Sequence, residues 1–170
     1  LSDKSKKPYD ERSDDEKLLS NWKKAVGLFE REDWSASIMR VATASEIASN
    51  IYIRHYLQES HDLPEEFVNS LLKSANGIAG KLRQLIIPAS KASNTGEEIK
   101  QIQKKIESIN THRNEVAHAG KFKNKKDAKL VFEYATEVIS LLAPNVKDSV
   151  LSQAEKLTSK SSRRKKRAAD

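Results

Sequence analysis

Apolar residues recur at intervals of three and four along most of this chain, the period of an amphipathic helix, and no stretch shows convincing alternation at period two. Ser13-Asp14-Asp15-Glu16 has the form of a capping box, in which the serine hydroxyl and the glutamate carboxylate satisfy free N–H groups at a helix start. It predicts a first helix from about Asp14 to Arg31. The stretch "EREDWSAS" is a tight break with Asp33 as N-cap, opening a second helix from about Trp34 to Gln58. Pro64 suits the first position of a third helix, which takes in "LRQLIIPAS" as far as roughly Ile87 and stops at Pro88. "ASKASNTGE" has the composition of a loop, and Thr95-Gly96-Glu97-Glu98 offers a second capping box for a fourth helix to about Ala117, with Gly120 as its exit. Asn124 is placed to cap a fifth helix that ends before Pro144. The expected fold class is all-α, an up-and-down bundle of about five helices with short connections. Residues 14–148 are expected to form the helical domain, between a flexible segment 1–13 and a basic tail 149–170 expected to be disordered.

The second helix, "WSASIMRVATASEIASNIYIRHYL", is apolar or small nearly all round, which predicts the central position in the bundle. Trp22 and Trp34 are expected to anchor the bundle, and Tyr52, Tyr56, Phe67, Phe132 and Tyr134 to pack at helical spacing. His55, His61 and His112 are expected at surface or boundary positions.

Composition narrows the picture. A chain of 170 residues suits one domain with a real core, and with no cysteine neither a disulfide nor a thiolate zinc site can form. No window of 18 residues is uninterruptedly apolar, so no membrane association is expected, and the start lacks the apolar run of a signal peptide. A cytoplasmic location is the default expectation. The chain opens on Leu1, which suggests trimming or a fragment. The net charge of +7 lies mostly in 156–170, where seven Lys and Arg face one Asp, so the rest is nearly neutral and announces no wide basic groove. That tail either binds RNA phosphates non-specifically or is simply a solvated basic end.

The fourth helix carries the candidate chemistry. Ile99, Ile102, Ile106 and Ile109 form one stripe, and the same spacing next reaches Arg113 and then Val116. An arginine there must reach water, a partner chain or a carboxylate, because an unpaired buried guanidinium is very costly. Glu46, on an apolar face of the second helix, is the carboxylate expected to meet it. Asn114 and His118 share another face, and a regular helix would point His118 about 140° away from Arg113. One site holding both then needs the helix to unwind near Ala119-Gly120, or a second subunit. The bland reading is an arginine that pairs internally and a histidine that helps close a helix end.

"RNEVAH" resembles the motif of the HEPN domains (higher eukaryotes and prokaryotes nucleotide-binding), in which His follows Arg at four to six residues, often with a polar residue directly after the Arg. "EREDWSASIMRVATASEIASNIYI" resembles that family's second-helix pattern, with Glu46 where an acid commonly falls, and the motif sits late on the penultimate helix. The resemblance covers roughly residues 14–143. It implies a metal-independent endoribonuclease, acting as a toxin or in antiphage defence, with Arg113, His118, Asn114 and Glu46 as catalytic residues and no metal or cofactor. It implies a homodimer with two motifs facing one cleft, an RNA substrate, and an antitoxin or regulatory protein as a further partner. The alternative is a catalytically inactive HEPN-like helical dimer that binds a partner protein or nucleotide as a scaffold.

Overall fold

A computed structural model describes residues 7–155, and among them every regular element is helical. The first long helix, α1 (Asp14–Glu30), starts on the expected capping box: Ser13 accepts from the Glu16 N–H and the Glu16 carboxylate accepts from the Ser13 N–H. Glu32, at φ 66°, makes the sharp break, and the Asp33 carboxylate caps α2 (Trp34–Arg54), accepting from the Ala36 N–H. At its C-terminal end α2 widens into a π turn over His55–Glu59. Helix α2 packs against α1 along its length, and against the two long helices that end the bundle, so it is central as its composition predicts.

The expected third helix is two. Helix α3 (Glu65–Ser74) begins one residue later than expected, with Pro64 in the capping position, and ends where Ala75 turns out of helical geometry and Gly77 takes φ +65°. A side chain at Gly77 would be strained in that left-handed region. The chain then runs through α4 (Gly77–Lys81), a π turn over Leu82–Ile86 and α5 (Ile87–Ala92). Pro88 does not stop it. The Ile87 N–H reaches back five residues to the Leu82 carbonyl, and Pro88, which has no N–H to donate, falls in the first turn after that reset. The loop is correspondingly shorter than "ASKASNTGE".

Helix α6 (Gly96–Ala119) lacks the capping box read at Thr95: the hydroxyl caps nothing and instead meets Ser93 Oγ at 3.0 Å. Gly120 ends α6 at φ +60°, and Asn124 opens α7 (Lys125–Leu142) through a capping box with Asp127. Residues 147–155 are again helical, with Val150 inside the core, so the domain extends past 148. The basic tail from 156, and residues 1–6 of the N-terminal segment, lie outside the described residues.

The core joins Leu18 and Trp22 of α1, Ile38, Val41 and Ile53 of α2, the four isoleucines of α6, and Val131, Phe132 and Ile139 of α7. Burying each such side chain fully contributes about 1.5–3 kcal/mol. Trp22, Phe132, Phe29 and Trp34 form an edge-to-face chain with centroids 4.9–5.2 Å apart, tying α1 and α7 to the start of α2. Both tryptophans anchor as expected, whereas Phe67 is half out in solvent and is no packing residue. Among the described residues no helix is long and apolar enough to cross a membrane.

Candidate functional site at the end of α6

Helix α6 buries Ile99, Ile102, Ile106 and Ile109 in succession. Arg113 and Val116, next on that stripe, are half-buried, and from Ala117 to Phe122 the chain is exposed. The stripe thus runs out of core to cover it, and Arg113 lies where burial gives way to solvent.

Its guanidinium turns along its own helix. Arg113 Nη1 donates to Asn114 Oδ1 at 3.0 Å and lies 3.1 Å from His118 Nε2. A guanidinium has donors only, so as a hydrogen bond this contact has Nε2 as the acceptor. The helix stays intact through Ala119, so the unwinding that the 140° separation called for is not required. The long arginine side chain wraps around the helix and brings its charge to the histidine. Asn114 holds the guanidinium instead of orienting the imidazole.

Glu46 is not the partner of Arg113. Its Oε1 lies 2.5 Å from Lys81 Nζ, with the lysine side chain 6% and the glutamate 39% exposed. An ammonium buried to that degree requires a counter-charge, and α4 brings Lys81 to the face of α2 that carries Glu46. Three of the four expected site residues therefore come together, and Glu46 belongs to a separate ion pair between α2 and α4.

The loop after α6 is held on both sides. The Gly120 and Lys121 N–H groups both donate to the Glu115 carbonyl, and Lys121 Nζ bonds Glu115 Oε1 at 2.8 Å. Lys123 pairs with the other Glu115 oxygen, and its N–H donates to Ser35 Oγ at 3.0 Å, fastening the loop to the start of α2. Lys125 Nζ stands 5.9 Å above the Trp34 ring. The hydrogen bonds from Lys121 and Lys123 hold the Glu115 carboxyl down to about 2. His112 sits behind this loop, half-buried as a boundary residue should be, with Nδ1 buried and without a hydrogen-bond partner. Burial lowers its pKa from the ordinary 6.5, and the nearby Lys123 charge adds to the shift. His55, exposed, pairs with Glu59 at 2.7 Å, and His61 lies edge-on to Tyr56.

The average charge of the chain conceals this loop. Residues 113–127 hold five cations (Arg113, Lys121, Lys123, Lys125 and Lys126) against Glu115 and Asp127. The string "KFKNKK" was the available signal, four lysines around one aromatic residue, and a count over the whole folded part averages it away. Among the described residues no three His, Asp or Glu side chains converge in a way that could hold a metal ion. The chain matches no family model, and no curated protein or solved structure matches it.

Proposed function

We propose that the end of α6 is an RNA-cleaving site of the HEPN kind, working in a homodimer as a toxin or antiphage effector, with an antitoxin as the partner that restrains it. The observation that carries this reading is the contact of 3.1 Å between Arg113 and His118, with Asn114 holding the guanidinium, at a half-exposed helix end. A permanent cation and a neutral imidazole nitrogen within one hydrogen bond of each other are the two functions needed to cleave RNA at its own 2′-hydroxyl.

An incoming phosphate diester would take the guanidinium as its bidentate partner and so free His118 Nε2. Nε2 then accepts the proton of the 2′-hydroxyl as O2′ attacks phosphorus. Arg113 stabilises the extra negative charge on the phosphorane oxygens, the P–O5′ bond breaks, and the departing O5′ takes a proton from the protonated His118 of the second copy. The products are a 2′,3′-cyclic phosphate and a 5′-hydroxyl. The motif supplies one histidine per chain, so two copies facing one cleft provide the base and the acid as separate groups.

Purified wild type and the Arg113→Ala and His118→Ala variants, incubated with mixed cellular RNA in EDTA, test this. Cleavage by wild type alone, leaving cyclic phosphates, supports the proposal. The scaffold reading has one observation in its favour, since Arg113 already occupies the nitrogen that would take the proton. Folded, dimeric protein that cleaves nothing in any of the three forms would select it.

A further inference from the structure

Phe122 is 97% exposed, far more than Tyr9 or Phe67, the other exposed large apolar side chains among the described residues. It stands on a loop fixed on both sides, by Glu115 before it and by Ser35 and the Asn124 cap after it. A benzyl ring kept in water on an anchored loop contributes nothing to the fold, since its apolar area stays hydrated. Its surroundings say what would cover it. Lys121, Lys123, Lys125 and Lys126 flank it in sequence; Lys121 and Lys123 are paired with Glu115, and Lys125 and Lys126 stand exposed beside it. Lysine is depleted from the cores of protein–protein interfaces. A second copy pressed directly onto Phe122 would bring its own lysines against these, at a repulsive cost, whereas in the proposed two-motif cleft the phosphates of a bound RNA would offset that charge. Aromatic faces between cations are instead the arrangement that binds single-stranded nucleic acid, bases stacking on rings while the cations meet phosphates.

We infer that Phe122 is a stacking platform for one unpaired base of a single-stranded RNA, adjacent to the phosphate engaged by Arg113 and His118. Phe122 lies four positions after His118, so their Cα atoms are within about 14 Å even at full extension. The inference rests on the ribonuclease reading for its placement of the phosphate, and it adds the substrate class. In a duplex the base faces are stacked on one another and offer none to the ring, so this site selects unpaired segments.

The test uses the full chain and a 2′-O-methyl oligonucleotide carrying 2-aminopurine, which cannot be cleaved because its 2′-oxygens are blocked. Phe122→Ala is expected to weaken binding by roughly 5- to 100-fold, the range that losing one stacked base gives, with the salt slope unchanged. Phe122→Trp should retain both the affinity and the 2-aminopurine quenching, Phe122→Leu should retain neither, and binding of a matched duplex should be indifferent to all three. Wild-type affinity in Phe122→Ala overturns the inference. So does full affinity in Phe122→Leu, which would mean apolar contact without stacking. A Phe122→Ala chain that binds the oligonucleotide normally but has a shifted monomer–dimer equilibrium in sedimentation also overturns it and gives the ring to a second copy. Because the probe resists cleavage, Phe122-dependent binding by a protein that cuts no RNA keeps this inference and removes the catalytic reading. Cleavage indifferent to Phe122 does the reverse.

Discussion

The two ends of α6 are built on opposite principles. From Ile99 to Ile109 the helix presents one aliphatic residue per turn to α2 and α7, and all four side chains are buried. From Arg113 to Ala119 the same stripe continues as Arg113 and Val116, and the charged groups are satisfied locally: Arg113 by Asn114 and His118, Glu115 by Lys121 and Lys123. The first end holds the fold together through non-directional burial. The second is organised by directional bonds that reach no further than its own helix and the loop beyond it. A site built on local bonds at the rim of a core can be altered with little effect on the core, so stability and chemistry should separate by residue.

The largest effect expected is on chemistry. His118→Ala should lower RNA cleavage by about 10²- to 10⁴-fold, the usual contribution of a positioned proton-transfer group, while moving the urea midpoint hardly at all because the imidazole is exposed. A comparable loss of stability in that variant would erase the proposed division between the two ends. Ile106→Ala is the mirror experiment. It should cost about 2–5 kcal/mol in equilibrium unfolding, with cleavage per folded molecule near wild type. Glu46→Ala sharpens the comparison at a third place, since it leaves Lys81 without its counter-charge. A destabilisation of about 1–3 kcal/mol is expected, with activity following the folded fraction. A loss of kcat in fully folded Glu46→Ala would return Glu46 to the arginine site.

The smallest effect is a pH dependence at the rim, read from unfolding midpoints. His112 binds its proton less readily folded than unfolded, so its contribution is intact above pH 6.5 and is lost as the pH falls toward the lower folded value. The depressed carboxyl of Glu115 adds a second contribution, present in full above its ordinary 4.5 and lost as the pH falls through about 2. Glu115→Gln should remove this second acid-side loss and enlarge the first, because the Glu115 charge raises the His112 pKa. Wild type and Glu115→Gln midpoints that run parallel from pH 5 to 2 would show that the lysine pairs contribute nothing.

Much of this was legible beforehand because it depends on neighbours in sequence. The caps at Ser13, Asp33 and Asn124, the exit at Gly120 and the isoleucine stripe of α6 all follow from residues within four positions of one another. Where the reading failed, a longer-range or geometric fact intervened. Pro88 was read as a stop, but a π turn before it removes the conflict. Thr95 was read as a cap, but its hydroxyl is engaged with Ser93. The expected domain ends at 148, but the helix continues to 155 and Val150 belongs to the core.

The candidate site divides in the same way. Sequence alone determined that Arg113, Asn114 and His118 lie within two turns on one helix, since helical periodicity is local. Only the tertiary structure decided that Glu46 belongs to Lys81 and that Arg113 bends back to His118. It also decided that the loop after α6 is fastened to Ser35, leaving Phe122 in solvent. The Arg113–His118 contact is a choice of side-chain conformation within α6, whereas the Glu46–Lys81 pair and the Ser35 fastening depend on which faces meet across the bundle. That is fixed by the packing of the whole core, and no periodicity within a single helix records it.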